Sequence, residues 1–204
     1  MKRPAIIVLL LAAIFILSVP TASFAEHKKG EGYIAFKGGI YSPTSEDLRD
    51  AGFKTDFNVE AVVGMYYNKN LALEFGAGYF QTDASVSGAD GFHEKAEISV
   101  VPVIATIKAV LPIDYVELYG GGGIGLYVVN FEDKGFDPVA GSFSGDDNDT
   151  IIGGHVLAGA NIDITRKVFL GVEGKYIFTT EAKLLSSKIN LHGYTVTGVL
   201  GIRF

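Results

Sequence analysis

The sequence predicts an all-β chain in which eight antiparallel strands close into a transmembrane up-and-down β-barrel. Three observations carry that expectation. The last stretch, Leu191 to Phe204, alternates strictly: counting back in twos from Phe204 gives Ile202, Leu200, Gly198, Val196 and Tyr194. The other register gives Arg203, Gly201, Val199, Thr197 and Thr195. A strand of about 9–11 residues with one apolar and one polar face is what a membrane-crossing strand requires. Secondly, the chain is 48% hydrophobic, yet beyond residue 26 it holds no apolar run long enough for a membrane helix, which needs about 20 residues. Thirdly, the connections between strand-like stretches alternate long and short.

The elements follow in order. Lys2 and Arg3 precede an apolar run from Ile6 to Val19, broken only by Ser18, and then the small-residue site Ser23-Phe24-Ala25. Residues 1–25 therefore read as a secretory signal peptide, with an uncleaved N-terminal anchor as the alternative. Removing them takes two cations and no acid, so the formal net charge moves from −6 to −8. An exported acidic chain is a poor partner for nucleic acid. The absence of cysteine excludes disulfides and a lipid-anchored cysteine, so stability must come from burial and backbone pairing. Residues 26–32 read as a polar, unstructured periplasmic lead-in, and 33–204 as the barrel.

Strand one, Tyr33 to Tyr41, sets Ile34, Phe36, Gly38 and Ile40 against Tyr33, Ala35, Lys37 and Gly39. Ser42 to Lys54 has loop composition. Strand two, Thr55 to Tyr67, opposes Phe57, Val59, Ala61, Val63, Met65 and Tyr67 to Asn58, Glu60, Val62, Gly64 and Tyr66. After a tight turn at Asn68-Lys69-Asn70, strand three runs from Leu71 to Thr82 with Glu74 on its polar face. A polar loop is expected from Asp83 to Glu94. Strand four, Lys95 to Val110, is apolar on both faces near Val100 and Ile104; Thr106 and Lys108 fix its inner face, and Pro102, which has no amide to donate, predicts a bulge.

A short connection from Leu111 to Tyr115 leads to strand five, Val116 to Asn130. Its Gly120-x-Gly122-x-x-Gly125 spacing matches the dinucleotide fingerprint by letter, but Leu126-Tyr127-Val128-Val129 continues the strand where that motif needs a helix. Close strand approach is the better account of the glycines. A long loop is expected from Glu132 to Asn148. Strand six, Asp149 to Ile164, puts His155, Gly159, Asn161 and Asp163 on one face. A turn at Thr165-Arg166-Lys167 precedes strand seven, Val168 to Thr179, with Glu173 and Lys175 on its polar face. Glu181 to Lys188 is the last loop.

The final strand, with apolar residues at alternate positions and a terminal aromatic, resembles the C-terminal assembly signal of Gram-negative outer-membrane barrels. The resemblance implies that Tyr194, Leu200, Ile202 and Phe204 are read by the barrel-assembly machinery. Across 33–204 the strand plan resembles the small eight-stranded outer-membrane family of OmpA, OmpX and OmpW type. That implies residence in the outer membrane among its lipid and lipopolysaccharide, with both termini on the periplasmic side.

In a barrel of eight strands the side chains fill the lumen. The faces above send Lys37, Glu60, Glu74, Lys108, Glu173, Lys175 and Arg203 inward, with His155 and Asn161 beside them. Buried charges must be paired, so these are expected to form one ion network that holds the barrel shut. A proton or ion path, or a catalytic carboxylate pair, is the functional alternative. The expected function is non-enzymatic and needs no cofactor: envelope integrity, surface interaction, or passage of a small apolar molecule. The last is implied by the OmpW-type resemblance and by the apolar inner positions Val100 and Ile104.

Two other classes compete. A lipid-A-modifying barrel enzyme needs a nucleophilic Ser beside His and a carboxylate; His27, His93, His155 and His192 have no neighbouring Ser in a recognisable motif, and Ser99 and His155 would meet only by accident of register. A soluble periplasmic carrier of lipocalin shape would turn the faces inside out. The histidines are scattered and suggest no metal site; the acidic run Asp146-Asp147-Asn148-Asp149 offers oxygen ligands but lacks the glycine and distal Glu of a calcium loop.

Overall fold

A computed structural model describes residues 29–87, 93–137, 141–184 and 187–204. The signal-peptide stretch lies outside them. Strands β1 (Gly32–Pro43), β2 (Asp56–Asn68), β3 (Leu71–Ser87), β4 (His93–Ile113), β5 (Val116–Asp137), β6 (Gly141–Asp163), β7 (Val168–Thr179) and β10 (Gly193–Arg203) form one closed barrel in the order β1-β10-β7-β6-β5-β4-β3-β2. Every pairing is antiparallel, and β1 closes on β10 from Tyr33↔Arg203 to Pro43↔Gly193. A short helix α1 (Glu46–Asp50) lies between β1 and β2, and a small hairpin, β8 (Ala182–Leu184) with β9 (Ser187–Ile189), precedes β10.

The alternation decides the faces. Ile124 is 70% exposed and Phe36, Phe75 and Val172 are similarly open on the outside, whereas Glu173 is 2% exposed and Lys37, Glu74 and Lys108 are buried within. A water-soluble carrier requires the reverse, so the lipocalin alternative falls. Tight turns sit at one end. Asn70 donates its backbone N–H to the Asn68 side chain at 2.8 Å. Asp114 takes the left-handed backbone with φ 53° between β4 and β5, a conformation Asp tolerates. Thr165 Oγ1 accepts from the N–H groups of Lys167 and Val168.

Three expectations are corrected. The lead-in is not free: Gly30 N–H bonds to the Tyr66 carbonyl and Tyr66 N–H to that of Glu31, at 2.8 and 2.9 Å. Pro102 makes no bulge: the ladder to β5 runs on through Pro102↔Tyr127, and pairing with β3 keeps its register from Ala77↔Val103 to Phe80↔Val100 while skipping Gly78 and Tyr79. The missing amide leaves a gap in the β3–β4 ladder instead. The expected loops at 83–94 and 132–148 are largely strand, with pairs continuing to Ser87↔His93 and Asp137↔Gly141.

Those continuations form a wall outside the bilayer. On the outer face Val101, Val128 and Ile152 are exposed apolar residues. The next outward positions along the same strands are Ser99, Asn130 and Thr150. That row marks the waterline. Beyond it β3 to β6 continue without β2, β7 or β10, and β5 alone reaches roughly 25 Å further along its axis, at about 3.3 Å per residue.

Candidate functional site: a charged belt beneath an apolar vestibule

Six of the seven charges expected inside meet at mid-height. Lys37 Nζ donates to both oxygens of Glu173 at 3.0 Å and lies 3.1 Å from Glu60 and 3.4 Å from Glu74. Lys108 Nζ reaches Glu74 at 2.7 Å and Glu173 at 3.2 Å. Lys175 pairs with Glu60. Three lysines face three glutamates, so the belt is neutral as a whole, and each charge has an opposite partner that offsets its desolvation. Two tyrosines complete it: Tyr33 donates to Glu74 at 2.9 Å and Tyr119 to Glu173 at 3.2 Å.

Arg203, expected in the same network, is elsewhere. It sits nearer the periplasmic end with Asp163 and Glu117, over the ring of Phe169 at 4.5 Å. Tyr66 and Asn161 donate to Glu117 at 2.6 and 2.7 Å. The sequence places Asp163, Tyr33 and Tyr66 on the inner face but in no ion pair or network, and assigns Glu117 and Tyr119 to no face. The signal for Glu117 was present, because it shares the parity of Tyr119 and of the inward Gly121, Gly123 and Gly125.

These glycines have a packing role. Added to Gly123, a Cβ would lie 2.7 Å from the ring of His155, whose Nε2 meets Thr106 Oγ1 at 2.9 Å. Gly159 makes the same room for Tyr119, and Gly201 for Phe169. The large inward side chains therefore rest on bare backbone of the next strand. Ser99 is on the outer face and His155 in the lumen, so the one serine–histidine combination considered for an esterase is separated by the wall.

Above the belt the lining changes to hydrocarbon. Tyr41, Phe80, Ile98, Val100, Ile104, Tyr127, Val129, Ile151, Ile177 and Leu191 pack as one buried cluster. Leu48 of α1 and Phe53 just after it enter the same cluster, 1% and 9% exposed. At the junction of belt and cluster a residual cavity of about 10 Å³ is lined by Glu60, Lys175, Phe80, Pro102, Ile104 and Tyr127, among others. That is no more than the space of one water. The acidic run, whose Asp146 to Asn148 fell in the expected loop at 132–148, lies in β6. The carboxylates of Asp147 and Asp149 accept the N–H groups of Asn148 and Thr150 at 2.8 Å each, while the side chain of Asp146 lies outside the described residues.

The sequence matches the family described as outer membrane protein beta-barrel domain over residues 9–204. The chain belongs to this family. As an outer-membrane β-barrel it is similar in fold to OprG from Pseudomonas aeruginosa, at 14% identity and TM-score 0.59, covering 89% of this chain and 99% of that one. A major outer membrane protein from Thermus thermophilus superposes at 12% identity and TM-score 0.55, covering 87% and 100%. Ail, the attachment invasion locus protein of Yersinia pestis, is 19% identical with TM-score 0.46 over 87% and 100%. No curated protein matches the sequence. In barrels of this kind short turns face the periplasm and longer loops the exterior, which places the apolar vestibule of this outer-membrane barrel at its outer mouth.

Proposed function

We propose that this outer-membrane barrel is non-enzymatic and admits small apolar molecules at its outer mouth, releasing them sideways into the bilayer. The carrying observation is the coincidence of three features at one height. The apolar lining ends at the charged belt, the belt fills the lumen, and the β3–β4 ladder skips Gly78 and Tyr79 opposite Pro102 and Val101 beside it. An apolar solute meets a prohibitive desolvation step if it continues down the axis past six charges. A break in the wall is the cheaper exit, and in hydrocarbon an unmade backbone pairing is costly enough to mark a place that opens.

The test replaces Pro102 with Val, which restores the missing donor. Uptake of a small hydrocarbon into vesicles carrying Pro102→Val is expected to fall several-fold against wild type. Wild-type uptake equal to that of empty vesicles overturns the reading. A second reading, a barrel that serves envelope integrity alone, is favoured by the smallness of the residual cavity. It expects detergent sensitivity in a deletion strain, with hydrocarbon uptake unaffected.

A further inference from the structure

The segment between β1 and β2 is built unlike a surface loop. Its first end is tied to the β9–β10 connection, where Thr44 and Ser45 donate to the His192 carbonyl at 2.8 and 3.3 Å. Its other end is tied to β3, where Lys54 N–H reaches the Asp83 carbonyl at 3.1 Å and Thr82 Oγ1 donates to the Lys54 carbonyl at 2.6 Å. Between these ties α1 has only five residues, too few to hold a helix by itself.

Its C-terminus is closed by a paired capping motif. Gly52 N–H bonds to the Arg49 carbonyl at 3.0 Å and Phe53 N–H to that of Leu48 at 2.9 Å, with Gly52 at φ +82°. This pair of hydrogen bonds through a left-handed glycine brings the residue after the glycine against the one five positions back. Here those residues are Phe53 and Leu48, the two side chains that enter the vestibule. The backbone bonds of Arg49, Gly52 and Phe53 all close within the loop. The segment from Thr44 to Lys54 is thus one internally bonded unit, held to the barrel at its two ends and by its apolar side chains.

We propose that Leu48 and Phe53 form a built-in plug occupying the vestibule in place of a ligand, and that a compact apolar molecule binds by displacing them together. This rests on the vestibule being an apolar uptake site. The size of the displaced pair sets the ligand class: one branched aliphatic group and one phenyl ring, a hydrocarbon or small aromatic rather than a long-chain lipid. A plug in equilibrium with an open form lowers apparent affinity by the fraction of barrels that are open.

The experiment measures binding of N-phenyl-1-naphthylamine, a small aromatic that brightens in apolar sites, to detergent-folded full-length barrel. Three proteins are compared: wild type, Leu48→Ala/Phe53→Ala, and Lys54→Cys/Asp83→Cys, which locks the Phe53 end to β3. The chain has no native cysteine, so the lock is unambiguous and reversible by reductant. The emptied variant is expected to bind at least tenfold more tightly than wild type, and the locked one at least tenfold more weakly until reduced. The locked arm is decisive because it creates no new cavity. Equal affinity in all three overturns the plug while leaving the uptake reading standing. Binding by none of them, with gel mobility showing folded barrel, overturns the uptake reading and the plug with it.

Discussion

Lys37 on β1 donates to both carboxylate oxygens of Glu173 on β7, at 3.0 Å each, across 136 residues of sequence and the intervening β10. Because Lys108 shares Glu173 and Glu74 with it, the belt is one coupled unit. Glu173→Gln keeps the shape and removes one of three negative charges. It should destabilise the folded barrel by about 3–5 kcal/mol, the penalty for stranding a buried charge. Adding Lys37→Gln restores neutrality and should recover part of that loss, so the two effects are not additive. Urea midpoints in lipid vesicles measure both, and additive losses would mean the pair is not coupled.

Gly201 on β10 lies beneath the ring of Phe169, which in turn carries the Arg203 guanidinium. Gly201→Val should force that ring off its seat and cost about 1–3 kcal/mol, as overpacking does. Gly38 faces lipid with nothing nearby, so Gly38→Ala is the control and should be close to neutral by the same unfolding assay.

The waterline can be tested by depth. Ile124 is the most open apolar residue on the lipid face, and Ile124→Arg should cost about 2–4 kcal/mol. Asn130, six residues along the same outer face of β5, is past the switch from apolar to polar residues. Asn130→Arg should cost about 0–1 kcal/mol. Equal costs would place the bilayer edge elsewhere.

Phe204 exchanges two backbone hydrogen bonds with Gly32, at 2.9 and 3.1 Å, and its ring covers that glycine. It fastens the last strand to the first at the periplasmic rim. Deletion of Phe204 should lower the amount of heat-modifiable barrel recovered from the outer-membrane fraction. Phe204→Tyr should retain it, which separates a need for an aromatic end from a need for any residue at that position.

The faces were legible in the sequence because a strand's parity is a local property. Ile34, Phe36 and Ile40 against Lys37 needed no partner to be read. Height along the barrel was not legible. It depends on the stagger between strands, so parity alone put Arg203 in the same network as Lys37, whereas pairing sets it opposite Tyr33, at the far end of β1. The upper wall was misread for a different reason. Past the waterline the outward residues are Glu97, Asn130, Glu132 and Asn148, and with so many Asp, Gly and Ser between them the composition imitates a loop. Ala84, buried on the inner face within the expected loop at 83–94, kept the alternation.

The wall of β3 to β6 stands well above the membrane, while β1, β2, β7 and β10 stop near it. The rim is therefore cut on a slant, like the mouth of a scoop. A molecule moving in the plane of the cell surface meets a tall face on one side and, on the other, a lower rim that carries α1 and the β8–β9 hairpin. Along β6 the Asn148 and Thr150 amides are already taken by Asp147 and Asp149, which removes two donors that a strand of a neighbouring barrel would otherwise meet.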